Sequence, residues 1–156
     1  MPALLLTGLG APPDVAIASS TRFHARGVIV VEADPVDGVA EAKWISAMAQ
    51  SPGSLIRGLV AHIPVADGAA AVKKFLASVD NCSLLRGGRV TLMASAPEAC
   101  LTTAYFEGLA ALCTAGIPHW EFGCTPEYLP SVIQVCKALP DMQASKVLSW
   151  EETCCL

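Results

Sequence analysis

Val28-Ile29-Val30-Val31-Glu32-Ala33 is a short β-branched run closed by Asp34-Pro35, after which Val39, Ala42, Ile45, Met48 and Ala49 recur at helical spacing. The stretch reads as a strand followed by a helix. Pro52-Gly53 breaks the helical pattern, and Ile56 to Ile63 read as a second strand stopped by Pro64. Asp67 is placed to cap the next helix, in which Ala71, Val72, Phe75, Leu76 and Val79 keep helical spacing up to Asn81. Leu84 to Leu92, interrupted by Gly87-Gly88, gives a third strand, and Thr102 to Leu112 a third helix ended by Ala115-Gly116. His119 to Cys124 is a fourth strand, and Tyr128 to Leu139 a fourth helix stopped by Pro140. Strand and helix alternate four times, which predicts an α/β fold with a parallel sheet, because parallel neighbours need long connections and helices supply them. The period does not decide between an open sheet and part of a closed barrel.

Composition excludes several classes. Of 156 residues, 53% are apolar and 15% charged, a balance that buries enough surface to offset chain entropy and rules out a disordered chain. The formal net charge is -4 with no Lys/Arg cluster, so the footprint of a nucleic-acid partner is missing. Mean hydropathy is +0.51, yet no apolar run reaches the roughly 18 residues that cross a bilayer. Met1 to Leu6 lacks a basic flank and is followed by Gly8, Gly10, Pro12 and Pro13, unlike a signal peptide. A cytoplasmic protein with no membrane partner is expected. The seven cysteines show no two-residue gap of a zinc or redox motif and read as small buried hydrophobes. No Gly-rich phosphate loop follows the first strand.

Several stretches in order carry a resemblance: Gly27-Val-Ile-Val-Val-Glu-Ala33, Glu41-Ala-Lys-Trp-Ile45, Arg57-Gly-Leu-Val-Ala-His-Ile-Pro64 and Leu85-Arg-Gly-Gly-Arg89. Gly123-Cys-Thr-Pro-Glu-Tyr-Leu-Pro130 and Pro140-Asp141 follow them. The series is similar to the central part of the amidohydrolase-related (amidohydrolase 2) family, which includes lactonases. The resemblance implies a TIM barrel, of which this chain holds about four consecutive βα units, and hydrolysis of small lactones or amides at the C-terminal ends of the strands. It divides the chain into an N-terminal segment without family motif (1–22), a partial barrel (23–143) and a divergent C-terminal tail (144–156). The family's opening His-x-His pair is absent, and Val147-Leu148 is followed by Ser149-Trp150 where the family continues Asp-His. A catalytically impaired form is therefore expected, with no catalytic residue assigned. A divalent metal such as zinc belongs to the complete family barrel. With His24, His62 and His119 isolated, no metal ligands and no cofactor are assigned to this chain.

Strand alternation places Val28, Val30 and Glu32 on one face of their strand, as it does Gly58, Val60 and His62, and Leu85, Gly87 and Arg89, on theirs. Glu32, His62 and Arg89 lie toward the C-terminal ends of their strands and are the candidate substrate-binding residues. Arg89 offers a planar fork to a substrate carboxylate, and Arg86-Gly87-Gly88-Arg89 matches the family's Arg-Gly-x-Arg. Its structural alternative is an ion pair with Glu32; for His62 it is a hydrogen-bonded strand end. Cys124 precedes a helix, a position that favours a thiolate, but no paired His accompanies it in sequence and a nucleophilic role is not assigned. Trp44, Ile45, Met48, Phe75 and Leu76 are expected to pack on the sheet. The expected partner is a small carboxylate or lactone. Unpaired edges of a half-barrel predict self-association. The alternatives are a non-catalytic ligand-binding or interaction module derived from such a barrel, and an independent open α/β enzyme.

Overall fold

The computed structural model describes residues 4–7, 26–80, 82–93, 95–139 and 143–148, the first and last of these segments as backbone. The strands are β1 (Leu4–Thr7), β2 (Val28–Val31), β3 (Ile56–His62), β4 (Leu85–Thr91), β5 (His119–Cys124) and β6 (Gln143–Leu148). The helices are α1 (Gly38–Ala49), α2 (Gly68–Ser78), α3 (Thr103–Thr114) and α4 (Leu129–Ala138), one after each of β2 to β5. All six strands form one sheet in chain order, each parallel to the next. Right-handed crossovers in an unreversed order leave the helices on one side, and the sheet curls into a half-barrel of α/β type. The four βα units read from the sequence are all present. β1 lies within the segment 1–22, whose remainder is outside the described residues, and β6 crosses the 143/144 boundary drawn from the sequence.

Local chemistry sets the element ends. Asp37 caps α1 by accepting from Val39 N and Ala40 N at 2.9 and 3.0 Å, and Thr102 caps α3 by accepting from Tyr105 N at 3.2 Å. Asp67 precedes α2 as expected, but its carboxylate makes no capping bond. A 3-10 turn, Val65–Asp67, leads into that helix instead and leaves Asp67 outside the extended geometry a cap uses. Gly116 closes α3 at φ 76°, a left-handed position that suits glycine.

The core lies between sheet and helices. Leu59, Ala61 and Ile63 from the β3 region, Leu92, and Trp120, Phe122 and Cys124 from β5 meet Ile45, Val72, Phe75, Tyr105, Leu109, Val132 and Val135. Tyr105 and Phe122 stand edge-on to Trp120, with ring centroids 6.5 and 6.4 Å away. Trp44 departs from expectation: it is 44% exposed, because only Ala42 and Ile45 on α1 are fully buried, and Trp44 lies on the solvent side of that stripe. Cys124 is buried in the core, in line with the reading of the cysteines as small buried hydrophobes.

Strand alternation is interrupted twice. β2 pairs Val28 with Ile56 and then Ile29 with Gly58, skipping Arg57; β3 pairs Leu59 with Leu85 and then Val60 with Gly87, skipping Arg86. The two skipped arginines are alike. Arg57 Nη1 donates to Ser54 O and Ile56 O, both at 2.9 Å, and Arg86 Nη1 to Ser83 O and Leu85 O at 2.7 and 3.1 Å. Each irregularity adds one residue to one strand, so Leu85 packs with the core while Gly87 and Arg89 face away from it. Leu85, Gly87 and Arg89 therefore do not share a face. Val30 pairs with Leu59 toward the helices, so Glu32 does not reach the opposite face by simple alternation with it.

Gly88 sits on the helix side, where a Cβ would run into the Trp120 ring and Ile63 Cδ1. The Gly88→Ala protein should lose about 1–3 kcal/mol of unfolding free energy in urea titration, from overpacking. The exposed Lys73→Ala control should stay within about 0.5 kcal/mol of the parent. Equal stabilities for the two variants would contradict this packing.

Candidate functional site

β2 ends at Val31, and the chain turns there through Asp34, the one non-glycine residue with positive φ (55°) among those described. Aspartate tolerates this left-handed region better than most residues. The turn directs Asp34 N–H back to Glu32 Oε2 at 2.6 Å, while Glu32 N donates to Val60 O at 2.8 Å. These bonds swing the Glu32 carboxylate over the ends of β3 and β4. His62 Nδ1 lies 3.6 Å from Oε2, and Arg89 Nε lies 3.7 Å from Oε1. The structure thus brings together all three residues singled out from the sequence. Parallel pairing is the reason, since it gathers the C-terminal ends of neighbouring strands at one rim.

Glu32 is 1% exposed, so an unpaired charge there would be costly; Arg89, the protonated form of His62 and one backbone N–H offset that cost. Arg89 is the less completely engaged partner. Its side chain is 13% exposed, and its terminal nitrogens form no ion pair or hydrogen bond among the described residues. The guanidinium lies across Gly123, where a Cβ would stand 3.3 Å from Nη2 and 3.4 Å from Nε. Glycine at this place lets the fork lie flat against β5. The ion-pair and ligand-binding readings of Arg89 are therefore compatible, because Nε serves the first and leaves the fork for the second.

His62 is raised above its ordinary value of 6.5, first by its polar contact with Glu32 at Nδ1, against the opposing effect of burial; Asp34 and Glu41 add to the rise. The folded chain holds this proton more tightly than the unfolded chain. The resulting stability is fully present below pH 6.5 and is lost as pH rises through the elevated native value. With Nδ1 turned to a carboxylate, Nε2 is the nitrogen left for a ligand or a proton.

Two further acidic residues lie near these side chains. Glu41, in the first turn of α1, has a buried Oε2 without a partner, and its carboxyl is raised above the ordinary value by burial and by the Glu32 charge. Glu121 stands opposite Arg89 in the β4–β5 register and meets His119 Nε2 at 3.1 Å. The sequence carried a signal for Glu121: a lone acid inside the apolar strand His-Trp-Glu-Phe-Gly-Cys must find a cation or face a site. Glu41 had none, since an acid in a first helical turn is ordinary.

The metal implied by the family resemblance does not fit these residues. No three His, Cys, Asp or Glu side chains converge on one point among those described, and His62 and His119 each turn a ring nitrogen to a carboxylate. A separate cleft of about 260 Å³, lined by Lys43, Ser46, Gln50, Asp80 and Cys82, lies at the other end of the helices, away from the strand rim. No family model, curated protein or solved structure matches the chain.

Replacing Glu32 by Gln removes the largest cause of the His62 rise and leaves burial opposed by Asp34 and Glu41 alone. In two-dimensional NMR titration, the His62 midpoint should be lower in Glu32→Gln than in the parent. An unchanged midpoint would show that the two side chains do not interact.

Proposed function

We propose that this rim is the anion-holding part of an amidohydrolase-type barrel, and that Arg89 binds the carboxylate of a small substrate related to lactones or amides. The observation that carries the reading is the state of Arg89. Its Nε is ion-paired with Glu32 at 3.7 Å, its terminal nitrogens have no partner among the described residues, and Gly123 leaves it room to lie flat. A guanidinium held so has lost most of its rotational freedom before a ligand arrives, which favours bidentate binding of a planar anion. Glu32 orients both cations, and His62 Nε2 can donate to the ligand or take a proton from water.

Hydrolysis needs both an activated water and a polarised carbonyl. His62 and Arg89 supply a weak version of each. Binding is accordingly the stronger property of this chain, and turnover of lactones the weaker.

A second reading, a ligand-binding module without catalysis, is favoured by the state of Glu32. Its two oxygens are directed at Asp34 N, His62 and Arg89, so it is not available as a base. The sheet adds a proposal about partners. β1 and β6 are each paired on one side only among the described residues, and such edges pair with other chains. No helix among the described residues is long and apolar enough to cross a membrane.

Acetate and propionate titrated into the full chain, followed by NMR, test the anion site. Arg89→Ala should weaken binding by about tenfold or more, the effect of losing a charge-assisted pair, and Arg89→Lys should restore only part of it. Unchanged affinity in Arg89→Ala would refute the proposal. A lactone panel run with and without zinc then separates the two readings, since release of hydroxy acid in an Arg89-dependent manner supports catalysis and its absence supports binding alone. Concentration-dependent gel filtration should show species larger than a monomer; a monomer throughout would refute edge pairing.

A further inference from the structure

Carboxylate binding by Arg89 leaves one charge at the rim unexplained. Glu121 is 6% exposed; its Oε1 meets His119, but its Oε2 is buried and has no hydrogen-bond partner among the described residues. In the strand register it faces Arg89 directly, and neighbouring strands lie about 4.8 Å apart. The two nonetheless form no ion pair, because Arg89 turns its Nε away toward Glu32. A guanidinium fork lying against Gly123 and a carboxylate oxygen two residues earlier on the same strand thus each have capacity to spare, in a place largely removed from water. Leaving buried polar atoms unmatched is costly, and a ligand carrying the complementary charges removes the cost.

Such a ligand needs an anion for the fork and a hydrogen-bond-donating cation for the oxygen, only a few bonds apart. Glu32 Oε1 also lacks a hydrogen-bond partner, but both the Arg89 guanidinium and His62 face that carboxylate. Glu121 has His119 alone. The less neutralised carboxylate is the better acceptor for an ammonium group.

We propose that the rim takes small amino carboxylates, with Arg89 holding the carboxylate and Glu121 Oε2 accepting hydrogen bonds from the ammonium group. This rests on the anion site described above and adds the amine to it. By this reading the natural ligand is a free amino acid or a compound with an amine close to its acid group, rather than a simple acid.

The test compares matched probes on the full chain by NMR titration: 3-aminopropionate against propionate, and glycine against both acetate and N-acetylglycine. The parent should bind the amine-bearing member of each pair about tenfold tighter, the size of one charge-assisted hydrogen bond. N-acetylglycine, whose amine carries no charge, should bind like acetate. In Glu121→Gln, checked for folding by circular dichroism, the members of each pair should bind alike. Equal affinities within the pairs in the parent, glycine and N-acetylglycine binding alike, or a preference that survives Glu121→Gln would each overturn the proposal. The parent comparison decides the matter even if the variant does not fold. Loss of the amine preference with Arg89-dependent propionate binding intact overturns this inference and leaves the anion site standing, whereas failure of every probe to bind overturns both.

Discussion

The buried carboxylate of Glu32 is the interaction on which the arrangement at the strand rim depends. An ionised group removed from water must be matched at once, and here the matching groups come from three successive segments: the Asp34 turn, the end of β3 and the end of β4. That requirement fixes the side on which His62 and Arg89 project. It also gives each of them a preferred orientation, with one nitrogen turned inward and the others left for solvent or a ligand. A structural role and an outward set of hydrogen-bond donors are thus combined in the same side chains.

The sheet makes that convergence available. Because every strand runs parallel to its predecessor, each strand ends at the same rim and each helix starts there. Residues distant in sequence become neighbours by register alone, as with His62 opposite Arg89 and Arg89 opposite Glu121. The core beneath is apolar and tightly fitted around Trp120, so the rim charges rest on a rigid floor.

The positions of the strands and helices were legible in the sequence because their signals are local: β-branched runs, helical recurrence of apolar residues, and Pro or Gly stops. β1 and β6 were not. Leu4–Thr7 runs into a stretch dense in Gly and Pro, and Gln143–Leu148 reads Gln-Ala-Ser-Lys before its two apolar residues, so neither carries the pattern of a doubly covered strand. Of the site, Glu32, His62 and Arg89 were found from their places at strand ends. Their faces were not, since counting by twos assumes an unbroken ladder and Arg57 and Arg86 break it. Glu121 was legible in principle, as an acid among buried neighbours, whereas Glu41 became visible only when α1 was set against the end of β2.

The two arginine irregularities share a sequence, Ser54-Leu55-Ile56-Arg57-Gly58 and Ser83-Leu84-Leu85-Arg86-Gly87, as well as a hydrogen-bonding pattern. Each shifts the stagger between neighbouring strands by one residue, and accumulated stagger is what tilts strands toward closure of a cylinder. Curvature in this chain is therefore written into a portable five-residue phrase at the start of a strand, and lengthening the chain by copying one strand–helix unit would carry its share of the bend along with it.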